Sequence, residues 1–269
     1  MIRIDYQLRT NSMLYVGAHK PYGGNFMESR NHLPGGIVRG AAAHFLLDWC
    51  PQGEEQRRDH HGCPEREDCR FYQLFGSGDS TEIIFTHGYP QDVLGEQTWT
   101  LPATARSCKH QPGFRSDEQR EAREQPGKRP RERHGVFDTL LSQLAYEELQ
   151  PRLLVWKAHC LSCRGRIDRF SGFYQRLHEE GYRQIASPSK GRLLRAAINR
   201  RRNTAEDEML YSLEAIEAGQ LLAGSLILPR QKRALVEEAL RETLLTLPLG
   251  GGGSRGLGRV ELMEIKEAE

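Results

Sequence analysis

The chain has little of what marks a membrane or secreted protein. None of its apolar runs approaches the roughly 20 residues that a bilayer-spanning helix needs, and its opening residues, MIRIDYQLRT, lack the apolar region of a signal peptide. Net charge is also small, at +2, so a surface for nucleic acid must come from local clustering of basic residues. These absences predict a cytoplasmic protein without membrane partners. In that reducing compartment its six cysteines are better suited to metal ligation than to disulfides.

Residue periodicity predicts a mixed α+β fold. Apolar and polar residues alternate from Ile2 to Leu8, as in a strand with one buried face, and the segment after Gly36, IVRGAAAHFLLDW, has helix-forming composition. Near the other end, LLAGSLIL (221–228) is typical of a strand, Pro229 is placed to begin a helix, and VELMEI forms a last strand. This order favours the βαββαβ arrangement of a ferredoxin-like, RRM-type core.

The middle of the chain is too long for that arrangement alone. We predict a core formed by residues 1–47 and 190–269, interrupted by a long insertion over residues 48–189 that carries all the cysteines. Within it, residues 115–135 are highly charged and poor in apolar side chains, which predicts a mobile loop.

The cysteines fall into two groups with histidines beside them. Cys-x-x-Cys spacing in the second group lets two thiolates reach one tetrahedral ion, and a histidine would complete a Cys₃His site in either group. His134 and His159 also lie near the second group. We therefore predict structural zinc, with buried thiols that bind no metal as the alternative. The candidate ligands are Cys50, His61, Cys63 and Cys69 in the first group, and Cys108, His110, Cys160 and Cys163 in the second.

Two other segments are suited to a phosphate backbone. The glycine-rich loop GGGGSRGLG (250–258) follows a predicted helix, whereas a P-loop precedes one, and it holds a single cation, Arg255. Its glycines let backbone N–H groups approach phosphates; a flexible hinge is the alternative. Residues 183–202 carry seven basic side chains and no acidic one, which predicts a track for single-stranded nucleic acid or else a solvated surface strand.

Five segments in order resemble the RAMP superfamily of CRISPR effector proteins, most closely those of type III-D systems. They are HLPGGIVRGAAAH (32–44), CRFYQLFGS (69–77), LPATARSCKHQPGF (101–114) with HGVFDTL (134–140), AAINRRRNTAEDEMLYSLEAI (196–216) and GGGGSRGLGRVEL (250–262). The resemblance implies an RRM-like core that packs beside other RAMP subunits, with the large polymerase-like subunit as a further partner, along a guide RNA (crRNA).

With the basic run, the resemblance also indicates which residues contact guide or target RNA. The glycine turn before the first helix, the basic segment and the C-terminal loop supply them. The candidates are Gly35, Gly36, Arg39, Lys190, Arg192, Arg195, Asn199, Arg200, Arg201, Arg202, Gly253, Ser254, Arg255 and Gly256.

Cleavage of target RNA would need a carboxylate. Family members that cleave carry an aspartate in the loop after the first strand, but here that loop, GAHKPYGGNFMESRNH, has Glu28 as its one carboxylate. Glu28 is therefore the candidate catalytic residue, with Mg²⁺ as cofactor. The resemblance fits two positions in the complex. One is a backbone segment, and the other is the cap on the 5′ handle of the guide.

Two alternatives belong to other functional classes. One is a stand-alone RAMP endoribonuclease that processes precursor crRNA, with His19, His32 or His44 as general acid or base. The other is a structural zinc module that binds proteins rather than RNA.

Overall fold

The computed structural model describes residues 1–18, 25–50, 68–76, 82–92, 96–149, 158–177, 181–199 and 204–268. The chain divides into two compact units: Met1–Pro90 with Pro188–Glu269, and Gln91–Ser187. The second unit covers a shorter stretch of sequence than the predicted insertion at 48–189. The described residues between 48 and 90 belong to the first unit.

Strands and short helices alternate along the described part of the chain. In chain order they are β1 (Ile2–Thr10), β2 (Phe26–Met27), α1 (Gly35–Asp48), α2 (Arg70–Phe75), β3 (Ile84–Phe85), β4 (Tyr89–Pro90), β5 (Thr98–Thr100), β6 (Ala105–Cys108), α3 (Arg115–Glu124), β7 (Val136–Asp138), α4 (Leu140–Leu149), β8 (Ile167–Arg169), β9 (Phe173–Leu177), β10 (Gly181–Ile185), β11 (Lys190–Asn199), β12 (Thr204–Ile216), β13 (Leu221–Leu228), α5 (Arg233–Thr246) and β14 (Val260–Glu267), with 3₁₀ turns at Arg230–Lys232 and Gly253–Arg255.

The main sheet of the first unit has the order β14-β1-β13-β3, and β4 also pairs with β13. All of these pairings are antiparallel. Helix α1 follows the first strand and α5 follows β13, so the elements run β1, α1, β3 and β4, β13, α5, β14. This is the ferredoxin-like βαββαβ fold, as the residue periodicity predicts.

One face of the main sheet carries the hydrophobic core. Along β1 the side chains of Ile2, Ile4, Tyr6 and Leu8 are buried and alternate with partly exposed ones. They belong to one apolar cluster with Val38 of α1 and with buried residues of α5. Burial of this apolar surface is the main stabilising contribution in the first unit.

A long hairpin of the first unit carries the basic segment. Strands β11 and β12 pair antiparallel, and β2 pairs in parallel with β12. The second unit holds two further three-stranded sheets, of order β10-β9-β5 and β7-β6-β8. Among the described residues, no helix is long and apolar enough to cross a bilayer.

The prediction of a mobile loop at 115–135 is wrong for its first half, where the structure has helix α3. Charge pairing replaces the missing apolar contacts. Arg133 donates to Glu121 Oε1 over 2.6 Å, and Arg120 donates to Asp117 Oδ1 over 2.9 Å. Asp117 is 4 % exposed, and its second carboxylate oxygen accepts the Gln184 N–H of β10 at 3.1 Å. Paired charges of this kind allow a polar segment to fold.

Candidate nucleic-acid interface and metal centre

A groove of about 410 Å³ lies where the β11–β12 hairpin meets the glycine-rich loop. Both segments carry basic residues that the sequence singles out, and the fold brings them to one place. The described residues that line the groove are Tyr15, Asn25, Met27, Arg195, Tyr211, Leu213, Gly252, Arg255 and Leu257.

The hairpin register places the basic and aromatic side chains of this groove together. Arg195 lies directly opposite Tyr211 in the antiparallel pairing, and opposed residues project from the same face. The Tyr211 hydroxyl accepts a hydrogen bond from Arg255 Nη1 at 3.0 Å. Arg195 Nε is buried and has no hydrogen-bond partner within the described residues. The hairpin and the loop therefore form one positively charged surface.

Backbone hydrogen bonds fix the glycine-rich loop at both ends. Gly251 N–H donates to Tyr15 O at 3.0 Å, Gly258 N–H donates to Met13 O at 2.8 Å, and Leu249 N–H donates to Gly258 O at 2.8 Å. Between these anchors the chain makes the 3₁₀ turn that presents the exposed Arg255. The arrangement holds the guanidinium at the groove.

Other predicted RNA contacts have structural partners. Lys190 Nζ lies 2.7 Å from Glu214 Oε1 and also donates to the Ser29 carbonyl. Burial alone would raise the pKa of Glu214, but Lys190 holds that pKa below its usual range. The Arg192 guanidinium lies over the Phe26 ring, 5.1 Å from its centroid. Lys190 in particular is engaged by a half-buried ion pair.

The glycine turn before α1 is shaped by packing. A Cβ on Gly35 would lie 2.1 Å from the Phe85 carbonyl oxygen, so the close approach of the two backbones requires glycine. Gly35 N–H donates to His87 Nδ1 at 3.1 Å. Gly36 is exposed with open space around it, whereas the Arg39 guanidinium lies 5.2 Å from the Phe75 ring centroid.

A separate cluster in the second unit has the composition of a metal site. The ligand atoms of Cys108, His134, Cys160 and Cys163 all lie within 4.8 Å of one another. Cys108 Sγ is 3.6 Å from Cys163 Sγ, and Cys160 Sγ is 3.3 Å from His134 Nδ1. Three thiols and one imidazole form the Cys₃His set of closed structural zinc sites. The cluster is therefore suited to a tetrahedral metal ion.

Local structure explains how these four residues meet. Cys108 ends β6, which pairs with both β7 and β8, and His134 N–H donates to Gln111 O at 2.9 Å just before β7. The Cys-x-x-Cys segment forms a tight turn in which Arg164 N–H donates to Cys160 O at 2.8 Å. Strand pairing and one turn thus bring three distant segments together.

The contacts of His134 and Cys160 also suit a metal ion. Glu132 Oε1 lies 3.1 Å from His134 Nε2, and this contact is the main cause that raises the pKa of His134 to about 9. Burial tends to raise the pKa of Cys160, but backbone N–H groups and neighbouring side chains lower it to about 6. A carboxylate on the outer nitrogen of a histidine leaves the inner nitrogen to face the metal.

Comparison with known families decides what kind of protein this is. The RAMP superfamily model matches residues 25–261, which include the groove-forming hairpin and the glycine-rich loop. The chain belongs to the RAMP superfamily. No curated protein sequence matches it.

Solved structures with a similar fold include two of type III-B Cmr-beta and one of a type IV-B CRISPR complex. A subunit in the cryo-EM structure of type III-B Cmr-beta bound to cognate target RNA is 13% identical, with 97% of this chain and 96% of that chain covered and a TM-score of 0.46. In the structure of the apo state the matching subunit is 13% identical, with 100% of this chain and 98% of that chain covered and a TM-score of 0.45. In the type IV-B CRISPR complex the identity is 11%, the covered shares are 99% of this chain and 90% of that chain, and the TM-score is 0.43.

The metal cluster of this RAMP protein differs from the predicted ligands in its histidine. The structure places His134, and not His110, with Cys108, Cys160 and Cys163. The pairing of β6 with β7 accounts for the difference, because it brings the segment just before β7, which contains His134, back to the end of β6. Sequence proximity to Cys108 favours His110, whereas strand pairing selects His134.

The first predicted cysteine group lies partly outside the described residues. Cys50 and Cys69 are buried in one small cluster, with Phe71 and Tyr72 packed against it. Cys63 and His61 lie outside the described residues. A second zinc site in this RAMP protein therefore stays a prediction.

The remaining predicted site residues are scattered. Asn199 ends β11 opposite Thr204, and residues 200–202 lie outside the described part. Glu28 is exposed, and its carbonyl accepts the Ala18 N–H at 2.9 Å. His44 lies 3.2 Å from Asp48 with its side chain 70% exposed, and His19 is outside the described residues.

Sequence reasoning missed the aromatic side chains of the groove and the two residues beside the predicted His32. Tyr15 and Tyr211 stand in no motif, although Tyr211 lies in the segment that resembles the family. His32 lies near His87 and Tyr89, with ring centroids 5.2 and 5.8 Å away. Burial, with His87 and Arg30 nearby, lowers the pKa of His32. Tertiary structure was needed to find both groups.

Proposed function

We propose that this RAMP protein binds guide RNA (crRNA) as a subunit of a type III CRISPR effector complex, most similar to those of type III-D. The groove between the β11–β12 hairpin and the glycine-rich loop is the observation that carries the proposal. It joins Arg195 and Arg255 on a surface with two tyrosines, and such a combination suits single-stranded RNA. RAMP membership and the resemblance of the sequence to type III-D subunits support it further.

The partners follow from this role. The protein would pack beside other RAMP subunits and the large polymerase-like subunit in the cytoplasm, and the guide would pair with target RNA. We assign the Cys108, His134, Cys160 and Cys163 cluster to structural zinc, because its closed Cys₃His set leaves no open ligand position for catalysis. Zinc would hold together the strands and the turn that carry these ligands in the second unit.

We also propose a candidate residue for cleavage of target RNA. Glu28 is exposed and has open access to solvent, so it is available to a Mg²⁺ ion and a phosphate. Target RNA that is cut equally well by wild-type protein and by Glu28→Gln protein would remove Glu28 from this role.

The test of guide binding is to express the protein together with a CRISPR array and the neighbouring genes. Purified complexes should contain discrete RNAs with a constant 5′ handle. Arg255→Gln should weaken binding of that RNA and reduce the slope of log affinity against log salt by about one unit. Arg241→Gln is the matched control, because Arg241 is an exposed cation on α5 that does not line the groove. Protein free of RNA would contradict the proposal.

One observation keeps the processing nuclease as a second candidate. His32 lies beside His87 and Tyr89 in a partly exposed group of side chains, and metal-free RNA cleavage needs a general base and a general acid, roles in which histidine is common. Precursor RNA should then be cut by the protein alone in the presence of a chelator, and His32→Ala should abolish the cutting. Assembly that is insensitive to salt and free of RNA would instead favour a protein-binding zinc module.

A further inference from the structure

We infer that the groove receives one unstacked nucleobase of the bound RNA while the adjoining phosphate lies on Arg255. The inference rests on the proposed function, since it names the part of the RNA that the site holds. It adds a stacking site to what the basic residues alone would provide, namely contacts to phosphate.

The shape and lining of the groove fit a flat, partly apolar group. Leu213 and Leu257 are buried and supply apolar lining, while Tyr15 and Tyr211 supply aromatic rings. A volume of about 410 Å³ lies within the range of about 300–1,000 Å³ that is usual for small-ligand sites. Bases stack on tyrosine faces irrespective of their identity.

Both tyrosine rings are held in place before RNA arrives. A Cβ on Gly251 would lie 2.8 Å from Tyr15 Cδ1, so the Tyr15 ring rests against the backbone of the glycine-rich loop. The Tyr211 hydroxyl accepts the hydrogen bond from Arg255. Rings that are already ordered lose less conformational entropy when a base stacks on them.

One buried donor lacks an acceptor at this site. Arg195 Nε has no hydrogen-bond partner among the described residues, and a buried polar group without a partner is costly. An oxygen or ring nitrogen of a base, or a phosphate oxygen, would satisfy it. Of the described lining residues none is acidic, so the groove repels cations and attracts the RNA backbone.

Hairpin geometry keeps the carboxylate of Glu214 out of the groove. Glu214 follows Leu213 on β12 and therefore projects from the opposite face of the strand, where it pairs with Lys190. Among the described residues that line the groove, none supplies a carboxylate to the Arg195 guanidinium. This charge distribution favours nucleic acid over a basic or neutral protein segment.

The experiment compares Tyr211→Ala and Tyr211→Phe for binding of a fluorescent single-stranded RNA oligonucleotide of mixed sequence. Loss of one stacked base should weaken the affinity of Tyr211→Ala by about 5- to 150-fold with an unchanged salt slope. Tyr211→Phe should lose much less affinity than Tyr211→Ala, because it keeps the ring and loses only the hydrogen bond from Arg255. Trp99→Ala, which removes an aromatic residue 46% exposed on β5, is the control for nonspecific stacking.

A second measurement uses wild-type protein, so that a folding defect cannot mislead. An oligonucleotide of the same length without bases in its central stretch should bind more weakly to the wild type than the complete one does. Tyr211→Ala should lose most of this preference. Equal affinity of the wild type for both oligonucleotides would overturn the inference.

The outcomes separate this inference from the proposed function. Wild-type protein that binds no RNA would refute guide binding and the inference together. RNA binding that is weakened by Arg255→Gln but unchanged in Tyr211→Ala would leave guide binding intact and refute only the base site. Self-association that changes in Tyr211→Ala, with RNA affinity unchanged, would assign the groove to a protein contact and overturn the inference.

Discussion

Replacing Gly258 by alanine should destabilise the first unit much more than the same change at Gly256. Both residues have positive φ, at +83° and +81°, which side chains other than glycine rarely adopt. At Gly258 the new Cβ would also lie 2.0 Å from the Leu249 carbonyl oxygen, whereas at Gly256 it would meet nothing within 4 Å. The two positions therefore separate backbone strain from steric collision.

The expected magnitudes follow from these two contributions. A left-handed conformation costs a residue with a Cβ about 1–2 kcal/mol, and this is the whole effect at Gly256. Relief of the collision at Gly258 must move backbone atoms, which adds about 1–3 kcal/mol, the usual cost of overpacking. The total for Gly258→Ala is about 2–5 kcal/mol, a large share of a typical stability of about 5–15 kcal/mol.

Urea denaturation of both variants measures the difference directly. The transition of Gly258→Ala should move to lower urea with the slope unchanged. Gly36→Ala serves as a reference, because Gly36 lies in α1 with open space around it and without a positive φ; there alanine should stabilise by about 0.5–1 kcal/mol. Equal losses at positions 256 and 258 would refute the conclusion that the loop is fixed by contact with Leu249.

Two further predictions concern the metal cluster and the hairpin. Cys160→Ser and His134→Ala should each lower the zinc content, measured by elemental analysis, by about one ion per chain. His110→Ala is the control and should leave the zinc content unchanged. Unaltered metal content in Cys160→Ser and His134→Ala would exclude the Cys₃His site. The ion pair with Lys190 makes the pKa of Glu214 lower in the folded protein than its ordinary value of 4.5. The pair therefore stabilises the folded state at pH values above 4.5, and this contribution is lost as the pH falls through the folded pKa. The difference in unfolding free energy between wild type and Glu214→Gln should therefore shrink from about pH 7 to about pH 3.5, and a difference that stays constant would contradict the assigned charge pair.

The elements with long, regular periodicity could be predicted from the sequence. Strands β1 and β14 and helices α1 and α5 have one-sided apolar patterns, because each packs one face on the same core. Strand β13 stands out as a short apolar run, LLAGSLIL. The sequence did not predict the core strands β3 and β4. Each has only two residues, Ile84–Phe85 and Tyr89–Pro90, which is too short for an alternating pattern to be recognised.

The candidate sites show a similar division. The residue types of the zinc ligands could be predicted, but the choice of His134 depends on the pairing of β6 with β7. Arg195 and Arg255 were predicted separately as basic residues, yet their meeting at one groove depends on how the glycine-rich loop packs on the hairpin. Helix α3 was missed because its stability comes from ion pairs with residues outside it, such as Arg133.

The alternation of β12 makes pairing register a determinant of charge in the groove. Tyr211 and Leu213 line the groove, while Glu214 on the other face neutralises Lys190. A slip of one residue would exchange the two faces, placing a carboxylate where RNA is proposed to lie. The irregularity in the β11–β12 ladder falls between Ala196 and Ile198, just beyond Arg195. The register shift therefore lies outside the pair of Arg195 and Tyr211 that lines the groove.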